Sequence, residues 1–161
     1  MLVTGCGFHL RGSVSQGPPL PPVHIESMGP SAEEVDVARS LEQWLRQQDV
    51  NVVSSGAGTG WIVVLYPEKR NRRVLSVNSA GKVQEYELHY QLRFEVHDSG
   101  DKILLPARVV AVTRQYAFDA EAVLSKAGEE DALWQAMQQE AVQRLGLQLQ
   151  RLAARQEPDG S

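Results

Sequence analysis

A chain of 161 residues has the length of one domain and can bury a core without disulfides or a structural metal. With 42% hydrophobic and 22% charged residues it has the profile of a water-soluble globular body, and its net charge of −4 argues against non-specific nucleic-acid binding, which needs Lys and Arg to neutralise phosphates. No apolar run approaches the ~18–20 residues of a transmembrane helix, and a single cysteine excludes an internal disulfide and a multi-cysteine zinc site.

That cysteine is Cys6, in Leu2-Val3-Thr4-Gly5-Cys6-Gly7. An aliphatic residue and two small residues before Cys form the pattern of a bacterial lipobox. The small residues let a signal peptidase reach the backbone, and the thiol then carries a diacylglycerol. The bland alternative is a free cysteine near a frayed terminus. A signal peptide also needs a charged start and an apolar stretch of about 7–15 residues. Met1-Leu2-Val3 reads as the stump of one. The expectation is a truncated sequence or an alternative start, with 1–5 a signal-peptide remnant, and a chain that as written is not exported or acylated. Two or more acyl chains on Cys6 would tether a soluble domain stably where one would not.

Residues 6–22 are the acylated cysteine and a spacer, ending in Gly17-Pro18-Pro19-Leu20-Pro21-Pro22. Proline-rich sequence favours extended polyproline II, so the spacer is semi-rigid. The domain proper is expected over 23–155. Val23-His24-Ile25-Glu26 reads as a short strand. Ser31-Ala32-Glu33-Glu34 fits a capping box, and Val35, Ala38, Leu41 and Leu45 recur at helical spacing, which predicts a helix over about 32–48. Val50 to Val53 can pair briefly as a strand.

Trp61 to Tyr66 is a continuous apolar run. Pro67 interrupts it and Val74 to Val77 resumes it, giving one long bent strand or two short ones. Ser79-Ala80-Gly81-Lys82 reads as a hairpin turn. In the next segment Tyr86, Leu88, Tyr90, Leu92, Phe94 and Val96 alternate with polar residues, the pattern of a strand with one buried and one wet face. Asp98-Ser99-Gly100-Asp101 closes a second hairpin, and Ile103 to Phe118 forms a third long strand. Leu133, Trp134, Met137, Ala141, Leu145, Leu149 and Leu152 predict a helix over about 129–154 that continues through Gly146. Residues 156–161 are expected to be a disordered tail. The order β-α-β-β-β-α predicts an α+β fold: a two-layer sandwich with both helices on one face of a mainly antiparallel sheet of about four strands.

No GxGxxG, P-loop, HExxH, GxSxG or CxxC is present. His89 and His97 share a strand face but lie roughly 26 Å apart, too far to share a metal. Glu85, Glu87 and Glu95 sit on the same wet face and read as solvated surface. The expectation is a protein with no enzymatic activity, no cofactor and no metal. One basic cluster stands out: Lys69, Arg70, Arg72 and Arg73, with Lys82 across the hairpin. It reads either as a site for phosphorylated or acidic groups, since Arg suits bidentate contacts, or as a charged strand edge that blocks aggregation.

Cys6-Gly7-Phe8-His9-Leu10-Arg11-Gly12 resembles the start of mature LptE, the lipopolysaccharide-assembly lipoprotein of Gram-negative bacteria (the RlpB family). Gln84-Glu85-Tyr86 and Tyr116-Ala117-Phe118-Asp119 are similar to the family's strand start and to its last strand end. Leu124-Ser125-Lys126 looks like the segment just before its last helix. The resemblance implies a lipid-anchored outer-membrane protein, facing the periplasm and the lumen of a barrel. There it plugs the LptD β-barrel, supports barrel assembly and binds lipopolysaccharide during insertion into the outer leaflet. It implies lipidation at Cys6 and a lipopolysaccharide-binding role for Lys126. The family's basic residue at the hairpin has no clean match near Ser79, and Lys82 or Arg73 could substitute; the expected lipopolysaccharide-binding set is Lys126, Arg72, Arg73 and Lys82. The alternative is an auxiliary or tethering lipoprotein of another envelope transporter, without lipopolysaccharide contact.

Overall fold

The alternating run becomes the axis of the sheet. In the computed structural model, which describes residues 19–29, 32–55, 58, 60–118 and 123–156 but not the side chains of 32–35 and 123–127, this run is strand β5, Val83–Asp98. Before it come β1 (Val23–Ser27), helix α1 (Ala32–Gln47), β2 (Val52–Val53), β3 (Trp61–Leu65) and β4 (Lys69–Val77). After it come β6 (Ile103–Ala117) and helix α2 (Val123–Gln156). Cys6, the lipobox and most of the proline-rich spacer lie outside the described residues, as do the Ser31 cap and residues 157–161.

The sheet has six strands rather than about four. The Val52-Val53 segment pairs with β1, and Pro67 divides the next run into two separate strands. β6 pairs β5 from Glu85 to His97 and so fills one edge of it. β3 and β4 therefore share the other edge end to end, both antiparallel to β5. Between them Tyr66, Pro67 and Glu68 oppose only Leu92 and Arg93. One extra residue on one strand is a bulge, and proline is tolerated there because the ladder is already broken. β1 runs parallel to both β2 and β3, and the other pairings are antiparallel.

Both long hairpins turn by the same device. Asn78 accepts hydrogen bonds from the Ala80 and Lys82 amides through Oδ1, and Gly81 takes φ 74°. Asp98 accepts from the Gly100 and Lys102 amides, and Asp101 takes φ 61°. Those two backbone donors, Lys102 first, hold the Asp98 carboxyl below its ordinary range.

Period-two alternation sends Leu88, Tyr90, Leu92, Phe94 and Val96 into the core, all without solvent exposure. α1 meets them with Val37, Leu41 and Leu45, and α2 with Met137, Ala141, Leu145 and Leu149. The helices also pack on each other. α2 begins several residues earlier than its apolar periodicity indicates, and Leu124-Ser125-Lys126 belongs to its first turns. Its opening segment lacks the recurring large apolar residues that periodicity detects. The helix also runs through Gln156, the residue at which a tail was expected to begin.

Candidate functional site

The basic cluster on β4 is divided by the pleat. Arg70 and Arg72 stand opposite Tyr90 and Leu88, on the side facing the helices. Lys69, Asn71 and Arg73 point to the other side, where with His89 and Gln91 they line a shallow depression of about 390 Å³. Successive residues on a strand point to opposite faces, so a run of basic residues cannot form one patch.

On the helix side the organising residue is Glu130 of α2. Arg72 Nη1 donates to Glu130 Oε2 at 2.8 Å, and the Tyr116 hydroxyl donates to the same oxygen at 2.5 Å. Trp134 Nε1 donates to Oε1 at 3.2 Å. Burial pushes the Glu130 carboxyl up, but the hydrogen bonds from Tyr116, Arg72 and Trp134 outweigh it and the net shift is downward. Burial, then the bond to Glu130, pushes Tyr116 up to about 12. The Arg72 guanidinium lies 4.6 Å from the Tyr86 ring centre, and Tyr86 in turn contacts Tyr116 and Phe118. The aromatic residues flanking β5 and β6 thus hold this one arginine in place. A second pair sits below it: Arg70 meets the buried carboxylate of Glu68 at 2.6 Å, and Tyr90 donates to that same carboxylate.

Glu130→Ala leaves three donors without their acceptor. The expected cost is about 1–2 kcal/mol, the scale for unsatisfied, partly buried donors. The pH dependence has a definite sign. A lowered carboxylate pKa supplies stability above the ordinary carboxylate range, which is lost as pH falls through the folded value. Urea unfolding at neutral pH and below pH about 4 should therefore show a smaller acid loss in the variant than in the parent.

The outer sheet face is polar but not simply solvated. Glu87 was expected at the surface and is only 6% exposed. Gln115 Nε2 donates to its Oε2 at 3.0 Å. Arg73 and His89 nitrogens lie 2.6 and 2.7 Å from its Oε1. Gln115, then the Arg73 charge, lowers the Glu87 pKa against its burial. Further along, Tyr66 donates to Glu95 at 2.8 Å, Arg93 covers the Tyr66 ring at 4.5 Å, and His97 Nε2 lies 3.1 Å from Glu95 Oε1. On this face Arg73 is therefore paired with Glu87, and Glu95 is held by Tyr66 and His97.

Of the four basic residues singled out in the sequence, Arg72 and Arg73 each meet a carboxylate on opposite faces of the sheet. Lys82 is exposed in the hairpin turn, roughly 16 Å along β5 from the Arg73 rung. Lys126 lies on α2 one turn before Glu130, and its side chain lies outside the described residues. Glu130 was not found from the sequence, since no local pattern marks it as the meeting point of three donors from β4, β6 and α2. Among the described residues no group of three or more His, Cys, Asp or Glu could hold a metal, and no helix is long and apolar enough to cross a membrane.

The comparisons with known proteins agree with this architecture. Residues 20–149 match the family model described as LptE, lipopolysaccharide-assembly. The LPS-assembly lipoprotein LptE of Photorhabdus laumondii is 30% identical over 149 residues, covering 92% of this chain and 79% of the relative. The protein of that name from Pectobacterium atrosepticum is 27% identical over 146 residues, covering 90% and 77%. Among solved structures, the rare lipoprotein B of Shewanella oneidensis superposes with a TM-score of 0.73 at 25% identity, over 85% of this chain and 99% of its own. Lipoprotein B of Nitrosomonas europaea gives 0.72 at 29% identity, over 92% of each. The chain belongs to the LptE family of lipopolysaccharide-assembly lipoproteins.

Proposed function

We propose that this protein is a lipid-anchored outer-membrane component of lipopolysaccharide assembly, which sits as a plug in the lumen of the LptD β-barrel and supports that barrel's assembly. The observation that carries the reading is the family match over residues 20–149, joined to a polar sheet face on which Arg73 meets Glu87 and Tyr66 donates to Glu95. A barrel lumen is polar. A polar face whose buried Glu87 carboxylate already has an arginine partner can enter such a lumen without leaving that ion unpaired, which would be costly. Acylation at Cys6 and a spacer to residue 22 would place the body, from residue 23 to the end of α2, beside its membrane. No bond is made or broken in this role.

Lipopolysaccharide contact is assigned to Lys126, Arg72, Arg73 and Lys82. Lys126 and Arg72 are joined through the Glu130 turn of α2, while Arg73 and Lys82 lie on the sheet side and hairpin. Lys82 is exposed in the hairpin turn and meets no carboxylate among the described residues. Charge reversal at Lys126, Arg72 and Arg73 together should weaken lipopolysaccharide binding by about tenfold or more, the worth of a single charge-assisted contact. Unchanged binding in a folded triple variant would sink the assignment. Full-length protein purified from membranes should bring down an outer-membrane barrel, and recovery of inner-membrane transporter subunits in its place would favour the tethering role.

A further inference from the structure

We propose that Arg108, Arg151 and Arg155 form a phosphate-binding site in the groove between β6 and the C-terminal part of α2. Arg108 stands opposite Phe94, on the side of the sheet that faces the helices. Gln148, Arg151, Leu152 and Arg155 follow one another at helical spacing on one side of α2. With Leu105 these residues line a depression of about 210 Å³ in which, among the described residues, there is no acidic side chain.

The pattern of arginine pairing singles this groove out. Arg39, Arg46, Arg70, Arg72, Arg73, Arg114 and Arg144 each meet a carboxylate. Arg93 stacks on Tyr66. Among the described residues the arginines left without a carboxylate or an aromatic ring are Arg108, Arg151 and Arg155, and all three line the same depression. The chain as a whole is acidic, with a net charge of −4, so a general excess of cations does not account for it. Arg151 and Arg155 are like charges at i and i+4, which repel in the absence of a counter-ion.

The chemistry selects phosphate. Three planar guanidinium forks line one depression, and each can donate two parallel hydrogen bonds. A carboxylate has only two oxygens to accept them, whereas a phosphate presents three or more and carries up to two charges. The Gln148 amide can add a neutral donor. Leu152 is buried and Leu105 half-buried, so the floor is apolar and strengthens the attraction above it. The groove lies about 30 Å along α2 from Glu130, so it is separate from the Arg72 region. A free phosphate ion and the headgroup phosphate of a lipid offer the same chemistry.

The test uses the full chain labelled with nitrogen-15. Inorganic phosphate is titrated at constant ionic strength against chloride, and the arginine Nε–Hε signals are followed. Saturable shifts are expected at Arg108, Arg151 and Arg155, with none at Arg39 or Arg46. Arg151→Gln with Arg155→Gln should weaken binding by about tenfold or more. Arg151→Lys keeps the charge, loses the fork, and should fall between. In parallel, the chain is sedimented with phosphatidylcholine vesicles with and without phosphatidic acid. Binding that needs phosphatidic acid and is lost in the double Gln variant identifies a lipid source. Saturable phosphate shifts without vesicle binding identify a free ion. The site is overturned if phosphate behaves as chloride does and vesicle binding is indifferent to the double variant.

Discussion

Gly60→Ala is expected to destabilise the protein by about 3 kcal/mol or more. Gly60 has φ 110°, a backbone conformation that side-chain-bearing residues rarely adopt. Forcing alanine into such a region costs about 1–3 kcal/mol. The new methyl would also land on the Pro22 carbonyl, 2.8 Å from its carbon and nearer still to its oxygen. That carbonyl is backbone and cannot rotate away. It already accepts the Trp61 amide at 2.8 Å, the bond that sets the start of β3 beside β1. Moving Pro22 would break it and disturb the register of Val23 against Trp61, both of them core residues. Urea unfolding should show a lower midpoint with an unchanged slope. A loss below about 1 kcal/mol would mean that this junction is looser than its geometry implies.

Gly146→Ala should cost about 2 kcal/mol, although alanine is the better helix former by about 1 kcal/mol. A Cβ at Gly146 would lie 2.6 Å from Trp44 Cε3 and nearer still to two further atoms of that ring. Trp44 is half-buried against the core, between α1 and α2. The helices approach closely because position 146 has no side chain. Overpacking a fixed interface typically costs about 1–3 kcal/mol. The decisive measurement is a double-mutant cycle with Trp44→Ala. In that background the clash disappears, the helix preference remains, and Gly146→Ala should turn neutral or stabilising. If the alanine is stabilising with Trp44 intact, close packing is not the reason for the glycine.

These two glycines mark the limit of what the chain order discloses. In the sequence Gly60 ends a Gly/Ser-rich loop and Gly146 interrupts a good helix. Neither signals that its partner is Pro22, far upstream, or Trp44 on the other helix. The Glu130 site is similar. Tyr116, Arg72 and Trp134 come from β6, β4 and α2, and only the sheet order brings their donors to one carboxylate. The basic run from Lys69 to Arg73 was legible as a cluster, but strand pleating sends its members to opposite faces.

By itself the sequence determined what depends on local period and turn chemistry. The alternation from Tyr86 to Val96 made β5 a half-buried strand, the spacing from Leu133 to Leu152 made α2 a helix, and Ser79-to-Lys82 and Asp98-to-Asp101 read as the two turns, the first of which closes one residue earlier, between Asn78 and Gly81. Together these were enough for an α+β fold with two helices on one sheet face. The tertiary structure alone decided which strands share an edge of β5, which charges meet a partner, and that, among the described residues, Arg108, Arg151 and Arg155 are left together without a carboxylate. The reason is physical. Period and turn preference act over a few residues, whereas pairing, burial and charge compensation join residues that only the folded chain brings into contact.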